Sequence, residues 1–567
     1  MKRTLTLVLA LVMLVSLLAG CAGDGGKTTT AATTAAATAA AATTAAATTA
    51  APADTTTAAA TTTAAATTTA AATTVAPVAQ GNWDTGSIAV DPLGIDLEGA
   101  EVSFICTIGL NDERTKVWEK GNQYLSETYN GTVSLNLCDS AEYAAKVKTQ
   151  LASGMAPDVI YTNNSSGFTE LVAGEAFLPL DEYIPTYMPR MYAKVPADLY
   201  KAVTFGGKIY AMIPFKDLVE NNSLLYDKSQ TDAAGVDLQG WRRWSDNYDN
   251  FYKLREWVDS TDETRKDIPV ASMYEKWLRE GVFEMIGNSN LGIGTNFAGV
   301  ESVAGYAPFT DLFNIYDCPE FIAHVKTLNQ LVIDRIYPYD RANFDKDNVY
   351  RNSGKIIVWA SQGYLFAPDS IVDYDCVLAK QAISMGYTSY AAAMITAVNA
   401  DSENPVAACK LIEILDNDKY AGTILRFGEE NVHWTLTDNG QADCTIGLDS
   451  KIKNWYGAQL GDITNCVLPT DVTPEFGDAL KELNGNAIFS TNLGFTVNSE
   501  PVEAECAAII AVTAEYLSNT TLYSGMLDDA ETEAMAAEFV DKMNANGIQD
   551  VLTEYQQQLD DWYAAQG

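Results

Sequence analysis

Residue types that carry most enzyme chemistry are scarce in this sequence. Two histidines, His324 and His433, occur among 567 residues. A metal site built from several imidazoles is therefore excluded, and a Ser-His-Asp triad would have to use one of these two. No GxSxG elbow or P-loop occurs, and the glycines at 292, 294 and 299 lack the GxGxxG spacing of a phosphate-binding loop. We interpret both histidines as ordinary surface or core residues and predict no catalytic residue and no cofactor.

Carboxylates are in excess, with 74 aspartates and glutamates against 36 lysines and arginines. Two of them could serve a glycoside hydrolase, although no pair is singled out by its spacing. The segment Asp345-Lys346-Asp347 begins like a calcium loop but lacks the glycine of its sharp turn, so no metal site is predicted. The formal charge of −38 argues against nucleic acid and anionic lipid headgroups as partners, because both require a basic protein surface.

Nine cysteines are spread along the chain without a CxxC pair, so they predict no zinc site. The first, Cys21, lies close to the N-terminus and is considered below. An even number remains, for which disulfides and buried free thiols are equally open in an exported domain. These are Cys106, Cys138, Cys318, Cys376, Cys409, Cys444, Cys466 and Cys506.

The first 20 residues are predicted to be a lipoprotein signal peptide. Lys2 and Arg3 precede an apolar run from 5 to 18, which is shorter than the roughly 20 residues that span a bilayer. Small residues before Cys21 fit a signal peptidase, and such a cysteine resembles the acylated N-terminus of bacterial lipoproteins. We expect Cys21 to carry acyl chains such as palmitate and to anchor the protein on the extracellular face of the cell membrane. A short uncleaved membrane helix is the alternative.

Residues 21–94 are predicted to form a disordered tether behind the lipidated cysteine. From 28 to 74 the chain contains only Ala and Thr, apart from Pro52 and Asp54, and therefore offers no large side chain to bury. Blocks of β-branched Thr weaken the helical preference of Ala, and their hydroxyls suit O-glycosylation. A flexible chain of this length spans about 45 Å, enough to hold a domain clear of a membrane.

Alternating apolar strands and helices follow the tether. The segments 101–107, 132–138 and 157–161 are predicted strands, and 114–129 and 141–153 are predicted helices. This order is a βαβαβ unit, in which ligands bind beyond the carboxyl ends of the strands. The polar loop from Thr162 to Ser165 is therefore a candidate binding loop, with a plain Asn-rich turn as the alternative.

Motifs distributed over the whole domain resemble one family, the extracellular solute-binding proteins of the maltose-binding type. The resemblance is greatest to LipO-like lipoproteins of Gram-positive bacteria, although FGEENVHW departs from their GxEGxHY signature at Glu430 and Asn431. The motifs are KVKTQLASGMAPDVIYTNNSSGFTELVAGEAFLPLDEYI, GGKIYAMIP, VENNSLLYDKS, NSGKIIVWASQG, NPVAACKLIEILDNDKY, FGEENVHW, LGFTVNSEPVEAECAAIIAVTAEYL and NGIQDVLTEYQQQLDDWY.

The resemblance implies an α/β fold of the two-lobed periplasmic-binding-protein type (type 2). Each lobe would be an open sheet flanked by helices, and hinge strands would join the lobes. Lobe 1 would comprise 95–217 and 377–428, and lobe 2 would comprise 218–376 and 429–567 with a C-terminal helical module. The implied function is a monomeric receptor of an ABC importer, which closes on a small solute and delivers it to the transmembrane permease subunits.

A ligand can favour the closed state only by touching both lobes, so its contacts should come from separated parts of the chain. Carried over by position, they would lie in lobe 1, at the crossing, in lobe 2 and in the C-terminal module. Thr162 stands where maltose-type relatives often carry an aromatic residue. The candidates in that order are Thr162, Asn163, Asn164, Glu220, Asn221, Trp359, Tyr364 and Phe495.

Residue types favour an oligosaccharide as the solute. The 10 Trp, 28 Tyr and 18 Phe residues all follow position 80, and rings of this kind stack on the apolar faces of sugars. Asn, Asp and Glu pair with sugar hydroxyls. A peptide ligand stays open, and so do two other functions, an exported carbohydrate-active enzyme and a surface adhesin or sensory receptor on the same scaffold.

Overall fold

The structure is a computed structural model of the chain. It describes residues 83–91, 93–163, 166–272, 283–298, 303–338, 353–361, 376–454, 457–518, 522 and 524–566. Three predicted site residues, Cys21, Asn164 and Tyr364, lie outside the described residues, as does the segment 345–347. No helix among the described residues is long and apolar enough to cross a membrane.

Strands and helices alternate in the first part of the domain, as predicted. The chain then continues through two short strands. In order, the elements are β1 (Glu101–Cys106), α1 (Asp112–Thr128), β2 (Thr132–Leu137), α2 (Tyr143–Ser153), β3 (Val159–Thr162), α3 (Phe168–Ala173), α4 (Ile184–Tyr187), α5 (Pro189–Lys194), β4 (Thr204–Phe205) and β5 (Lys208–Ile209).

The middle of the chain contributes further strands with fewer helices between them. These elements are β6 (Ser223–Asp227), α6 (Lys228–Ala234), α7 (Tyr248–Thr261), β7 (Ala271–Ser272), β8 (Phe283–Met285), β9 (Ile293–Asn296), β10 (Phe313–Asn314), α8 (Pro319–Ile333), β11 (Val358–Ser361), β12 (Cys376–Lys380), β13 (Met385–Gly386), α9 (Thr388–Ala391) and β14 (Ile395–Val398).

The last part of the chain is mainly helical. Its elements are α10 (Pro405–Asn417), α11 (Lys419–Phe427), β15 (Thr435–Leu436), β16 (Ala442–Asp443), α12 (Phe476–Gly485), β17 (Ile488–Phe489), α13 (Glu503–Thr513), α14 (Asp529–Ala545) and α15 (Ile548–Gln566).

The predicted βαβαβ unit forms the first sheet, with strand order β14-β3-β1-β2. Strand β1 pairs in parallel with both β2 and β3, which confirms the predicted βαβαβ order of elements. Strand β14, about 230 residues later in the chain, adds itself antiparallel to β3, with Ile395 opposite Thr162. Buried side chains of this sheet and of α1, α10 and α11 form the first apolar core.

A second sheet has the order β12-β6-β11-β7, and a third, antiparallel sheet has the order β10-β9-β8. Both pack into a second apolar core that also contains buried side chains of α7 and α8. Helices α13, α14 and α15 contribute Ile509, Phe539 and Val551 to the same core. The C-terminal helices are therefore packed against the second core.

A third, smaller apolar cluster lies around Trp434 and Phe476. Phe215 and Phe427 belong to it, and the partly buried Tyr420 packs against both this cluster and the first core. The predicted limits of the two lobes assign residues 429–485 to lobe 2 and remain a prediction. In the structure, apolar side chains of residues 429–485 pack in the third cluster and in the first core.

All eight cysteines that follow Cys21 are buried free thiols, which decides between the two alternatives left open by the sequence. Burial raises the pKa of Cys318 and Cys409 to about 12, and that of Cys444 and Cys466 to about 11. At neutral pH these side chains are therefore thiols rather than thiolates, and they pack as small apolar groups.

One buried carboxylate joins α1 to α11. Asp418 precedes α11, and its Oδ1 accepts a hydrogen bond from the Ala421 N–H at 2.9 Å. Its Oδ2 accepts hydrogen bonds from the hydroxyls of Tyr124 at 2.8 Å and Tyr129 at 2.6 Å. The side chain thus caps a helix and satisfies two buried hydroxyls at once.

We expect Asp418→Ala to lower the free energy of unfolding by about 3 kcal/mol, because it removes a helix cap and leaves two buried hydroxyls without a partner. Urea denaturation followed by circular dichroism measures this loss. In a chain that also carries Tyr124→Phe and Tyr129→Phe, the Asp418→Ala substitution should cost clearly less. An equal cost in both backgrounds would contradict the assigned role.

Candidate ligand-binding cleft

A cleft of about 790 Å³ opens between the first and second apolar cores. One wall comes from α3, which carries Phe168 of the first core, and the opposite wall comes from the third sheet and the C-terminal helices. The lining residues are Thr169, Glu170, Glu220, Phe283, Glu284, Met285, Ile286, Gly287, Asn288, Ser289, Leu291, Tyr387, Thr388, Ser389, Phe495, Thr496, Val497, Ser499, Cys506, Ile510 and Tyr555.

Three chain segments that pass between the two cores form the floor of this cleft. The chain crosses from the first core to the second between Leu218 and Leu224 and returns between Ala379 and Ala391. It crosses to the second core again between Leu493 and Phe495. The segments are bonded side by side. Glu220 and Met385 exchange two backbone hydrogen bonds at 2.7 and 2.9 Å, β13 pairs in parallel with β17, and the Ser490 N–H donates to the Gly386 carbonyl. This arrangement provides the predicted hinge strands.

Glu220 projects from the first of these segments into the cleft. Its carboxylate accepts a hydrogen bond from the hydroxyl of Tyr387, which lines the cleft from the second segment. Asn221, the next residue, is buried and points elsewhere. Its Nδ2 donates to the carbonyls of Gln381 at 3.0 Å and Ile383 at 3.2 Å, so its side chain fastens the first segment to the second.

Glu284 lies on β8 and also lines the cleft. Its carboxyl accepts hydrogen bonds from the Ser490 hydroxyl and from Asn492 Nδ2, the latter at 3.2 Å. Burial raises the pKa of Glu284 from 4.5 to about 7, although the bonds from Ser490 and Asn492 oppose the rise. The Asn492 side chain also donates to the Phe309 carbonyl and accepts from the Tyr563 hydroxyl, which ties the third segment to the last helix.

Aromatic rings form part of the wall. The ring of Phe495 lies 5.7 Å from that of Trp562, between centroids, and Tyr555 is buried beside Gly287. Gly287 has a φ of +73°, and a Cβ there would lie 3.0 Å from the Tyr555 ring. Glycine at this position therefore allows both the turn and the close approach of the ring.

The structure brings together two of the predicted contacts, Glu220 and Phe495, and places four others away from the described lining. Thr162 and Trp359 are 1 % and 5 % exposed, and Trp359 packs with Leu225. Asn163 stabilises its own loop, since its Oδ1 accepts from the N–H and the hydroxyl of Ser166. Asn221 is the fourth and binds the neighbouring segment as described.

Sequence reasoning missed Glu170, Glu284 and Tyr387. A signal for Glu284 was present, since a single acid stands inside the apolar run Phe283–Ile286, where a strand would bury it. Nothing comparable marks Glu170, which is exposed on α3, or Tyr387, whose place depends on the pairing of distant segments.

The arrangement is suited to binding a polar molecule that also has apolar faces. It combines rings with hydroxyl, amide and carboxylate groups, and within the described part of the chain no cluster of three or more metal-ligating side chains occurs. His433 lies elsewhere, where its Nδ1 accepts from the Glu429 N–H at 3.0 Å and its Nε2 is 3.4 Å from Glu113.

Comparison with known proteins identifies the family. Residues 111–421, more than half of the chain, match the model of the bacterial extracellular solute-binding proteins. The chain belongs to this family. Residues 491–564 of this solute-binding protein match a second model, described as a domain of unknown function, which spans α13, α14 and most of α15.

This solute-binding protein is 20% identical to a carbohydrate ABC transporter substrate-binding protein of Streptococcus pneumoniae, over 80% of this chain and 88% of the relative. A crystal structure of the N-glycan transport solute binding protein of the same organism is 16% identical. It matches with a TM-score of 0.68, over 82% of this chain and all of that one. A solute-binding protein of Bifidobacterium longum matches with a TM-score of 0.50, at 16% identity, over 82% of this chain and 98% of that one. The two-lobed α/β fold predicted from the sequence is confirmed.

We expect the free energy of unfolding of this solute-binding protein to decrease as the pH rises from 4.5 to about 7, because of Glu284. Its pKa is higher in the folded than in the unfolded chain, so the folded state holds a proton that the unfolded state releases in this range. The loss should amount to about 3 kcal/mol, at 1.36 kcal/mol per pH unit. Urea denaturation at pH 5 and pH 8 measures it.

The Glu284→Gln variant cannot ionise and should lose this part of the pH dependence, whereas Glu182→Gln, an exposed control, should keep it. The same pH slope in wild type and Glu284→Gln would contradict the raised pKa.

Proposed function

We propose that this protein is the extracytoplasmic receptor of an ABC importer and that it captures an oligosaccharide. The observation that carries the proposal is the cleft between the two cores, where rings and hydrogen-bonding groups from both sides face one volume. Family membership and the carbohydrate transporter relative support it. Transmembrane permease subunits would be the partners, and the receptor would act as a monomer.

Sugar chemistry fits this lining. A pyranose presents apolar C–H faces, which stack on rings such as those of Tyr387 and Phe495, and a rim of hydroxyls that need donors and acceptors. Ser389, which is exposed, and Glu220 supply such groups at the floor. A cleft of about 790 Å³ falls within the range of 300–1,000 Å³ typical of small-ligand sites and accommodates a few sugar rings.

Closure of the two lobes would couple capture to delivery. A ligand shifts a conformational equilibrium only by its differential affinity for the two states. A sugar that touches Thr169 on one side and Ser289 on the other binds best when these walls approach each other. The hinge segments are hydrogen-bonded to one another, so rotation about them leaves those bonds in place.

Among the predicted contacts, we propose that Glu220 and Phe495 touch the solute, because both line the cleft. Asn221 would act indirectly, by holding the floor segments together. Thr162, Asn163 and Trp359 would support the walls from behind. Asn164 and Tyr364 are proposed contacts on the family resemblance alone.

Filling the cleft should weaken binding. We expect Ser289→Trp to weaken oligosaccharide affinity at least about tenfold, because the indole occupies space that the sugar needs, while the melting temperature of the free protein stays unchanged. Ser289 is exposed, so the substitution does not disturb a core. Isothermal titration with mannose and N-acetylglucosamine oligosaccharides measures the affinity, since one relative was solved with Man1GlcNAc.

Ser153→Trp, at an exposed helix end, is the matched control and should bind like wild type. Equal affinity of the Ser289→Trp variant would remove the cleft as the binding site. Cleavage of the sugar during titration would favour the carbohydrate-active enzyme, and a response to peptides alone would overturn the oligosaccharide.

We also propose that Cys21 is acylated after removal of residues 1–20 and anchors the receptor to the outer face of the cell membrane. Cells fed an alkyne analogue of palmitate should yield labelled wild-type protein, and the Cys21→Ala variant should be unlabelled. Substitution of Cys138, a buried thiol of the folded domain, serves as the control and should leave the label in place. Labelling of Cys21→Ala would contradict the anchor.

A further inference from the structure

The lining of the cleft has one sign of charge. Three glutamates, Glu170, Glu220 and Glu284, face it, and the described lining residues include no lysine, arginine or histidine. They come from separate parts of the chain, namely α3, the first of the three segments that pass between the two cores, and β8. The two walls and the floor of the cleft thus each carry one carboxyl group.

Among the described residues the carboxyl groups of Glu220 and Glu284 have neutral partners, whereas the Lys148 ammonium and the Glu170 carboxylate both lie beside Gly167. The Glu220 carboxylate is held by the Tyr387 hydroxyl, and the Glu284 carboxyl is held by Ser490 and Asn492. The ion pairs formed between described residues involve other carboxylates, such as Asp416 and Asp462 with Lys194. The Tyr387 hydroxyl is a neutral donor, which orients the Glu220 carboxylate but leaves its charge in place. Glu284, with a pKa of about 7, is only partly ionised at neutral pH.

We propose that the cleft selects neutral oligosaccharides and rejects those that carry carboxylate groups. This inference rests on the proposed function, since it concerns the class of sugar that the same cleft accepts. Hydroxyls of a neutral sugar can donate to Glu170 and Glu220, and such hydrogen bonds to charged acceptors are stronger than neutral ones. A uronic or sialic acid would instead bring a like charge into a partly enclosed site.

Two electrostatic effects disfavour the binding of an anionic sugar. Like charges repel more strongly in a cleft than in water, because the surrounding protein lowers the effective dielectric constant. The formal charge of −38 on the whole chain also disfavours the approach of an anion at low ionic strength. Both effects weaken as salt is added, so the discrimination should decrease with ionic strength.

The test uses matched pairs of sugars. Mannotriose, chitotriose and maltotriose are titrated beside the same trisaccharides with a terminal hydroxymethyl group oxidised to a carboxylate. We expect the oxidised member of each bound pair to bind at least about tenfold more weakly at low salt, with a smaller ratio at 0.5 M salt. Equal affinity within a bound pair would overturn the inference and leave the proposed function intact. Binding of no sugar, neutral or oxidised, would overturn the proposed function itself and the inference with it.

Two substitutions assign the effect to named groups. Glu170→Gln and Glu220→Gln should each narrow the ratio between neutral and oxidised sugar by severalfold, because each removes one negative charge. Glu170 is exposed, so its variant folds even where a change at the floor does not. Glu182→Gln removes the same charge on the exposed surface outside the cleft lining and should keep the wild-type ratio. A ratio that stays at the wild-type value in both cleft variants would overturn the inference.

Discussion

The side-by-side course of three chain segments between the two cores is the constraint on which the rest of the structure depends. Backbone groups in this region must find partners because they are shielded from water. Glu220 and Met385 satisfy each other, and Ser490 donates to Gly386. Each segment delivers lining residues at the point where it crosses, so the same pairing that joins the cores also assembles the cleft from Glu220, Tyr387 and Phe495.

Burial of the Glu284 carboxyl at this junction has a physical cost. An ionised carboxylate in a poorly hydrated site is unfavourable unless hydrogen bonds compensate it, and here they come from Ser490 and Asn492. Both donors belong to the third crossing segment. The buried carboxyl group of the cleft thus also connects the second core to the hinge.

The protein reaches a stable two-core architecture without disulfides among its described cysteines. A chain of this size can bury enough apolar surface for that purpose, and the C-terminal helices add to the second core. The third cluster around Trp434 extends the first core through Tyr420. Covalent constraint is therefore replaced by packing and by buried polar links such as that of Asp418 with Tyr124 and Tyr129.

The sequence by itself determined the local elements, the family and the class of fold. Periodicity located β1, α1, β2, α2 and β3 to within about two residues, because alternating and helical patterns of apolar residues reflect which face is buried. Position-by-position resemblance predicted Glu220 and Phe495 as ligand contacts, and both line the cleft. These properties are encoded in the local sequence.

Tertiary structure alone decided which side chains face the cleft. Thr162 and Trp359 are buried because strands β14 and β6 pair alongside them, and those partners lie far away in the chain. Tyr387 and Glu284 meet the cleft only because distant crossing segments are hydrogen-bonded together. Side-chain direction on a strand reverses with each residue, so a site built from long-range pairing is specified by register and packing rather than by local pattern.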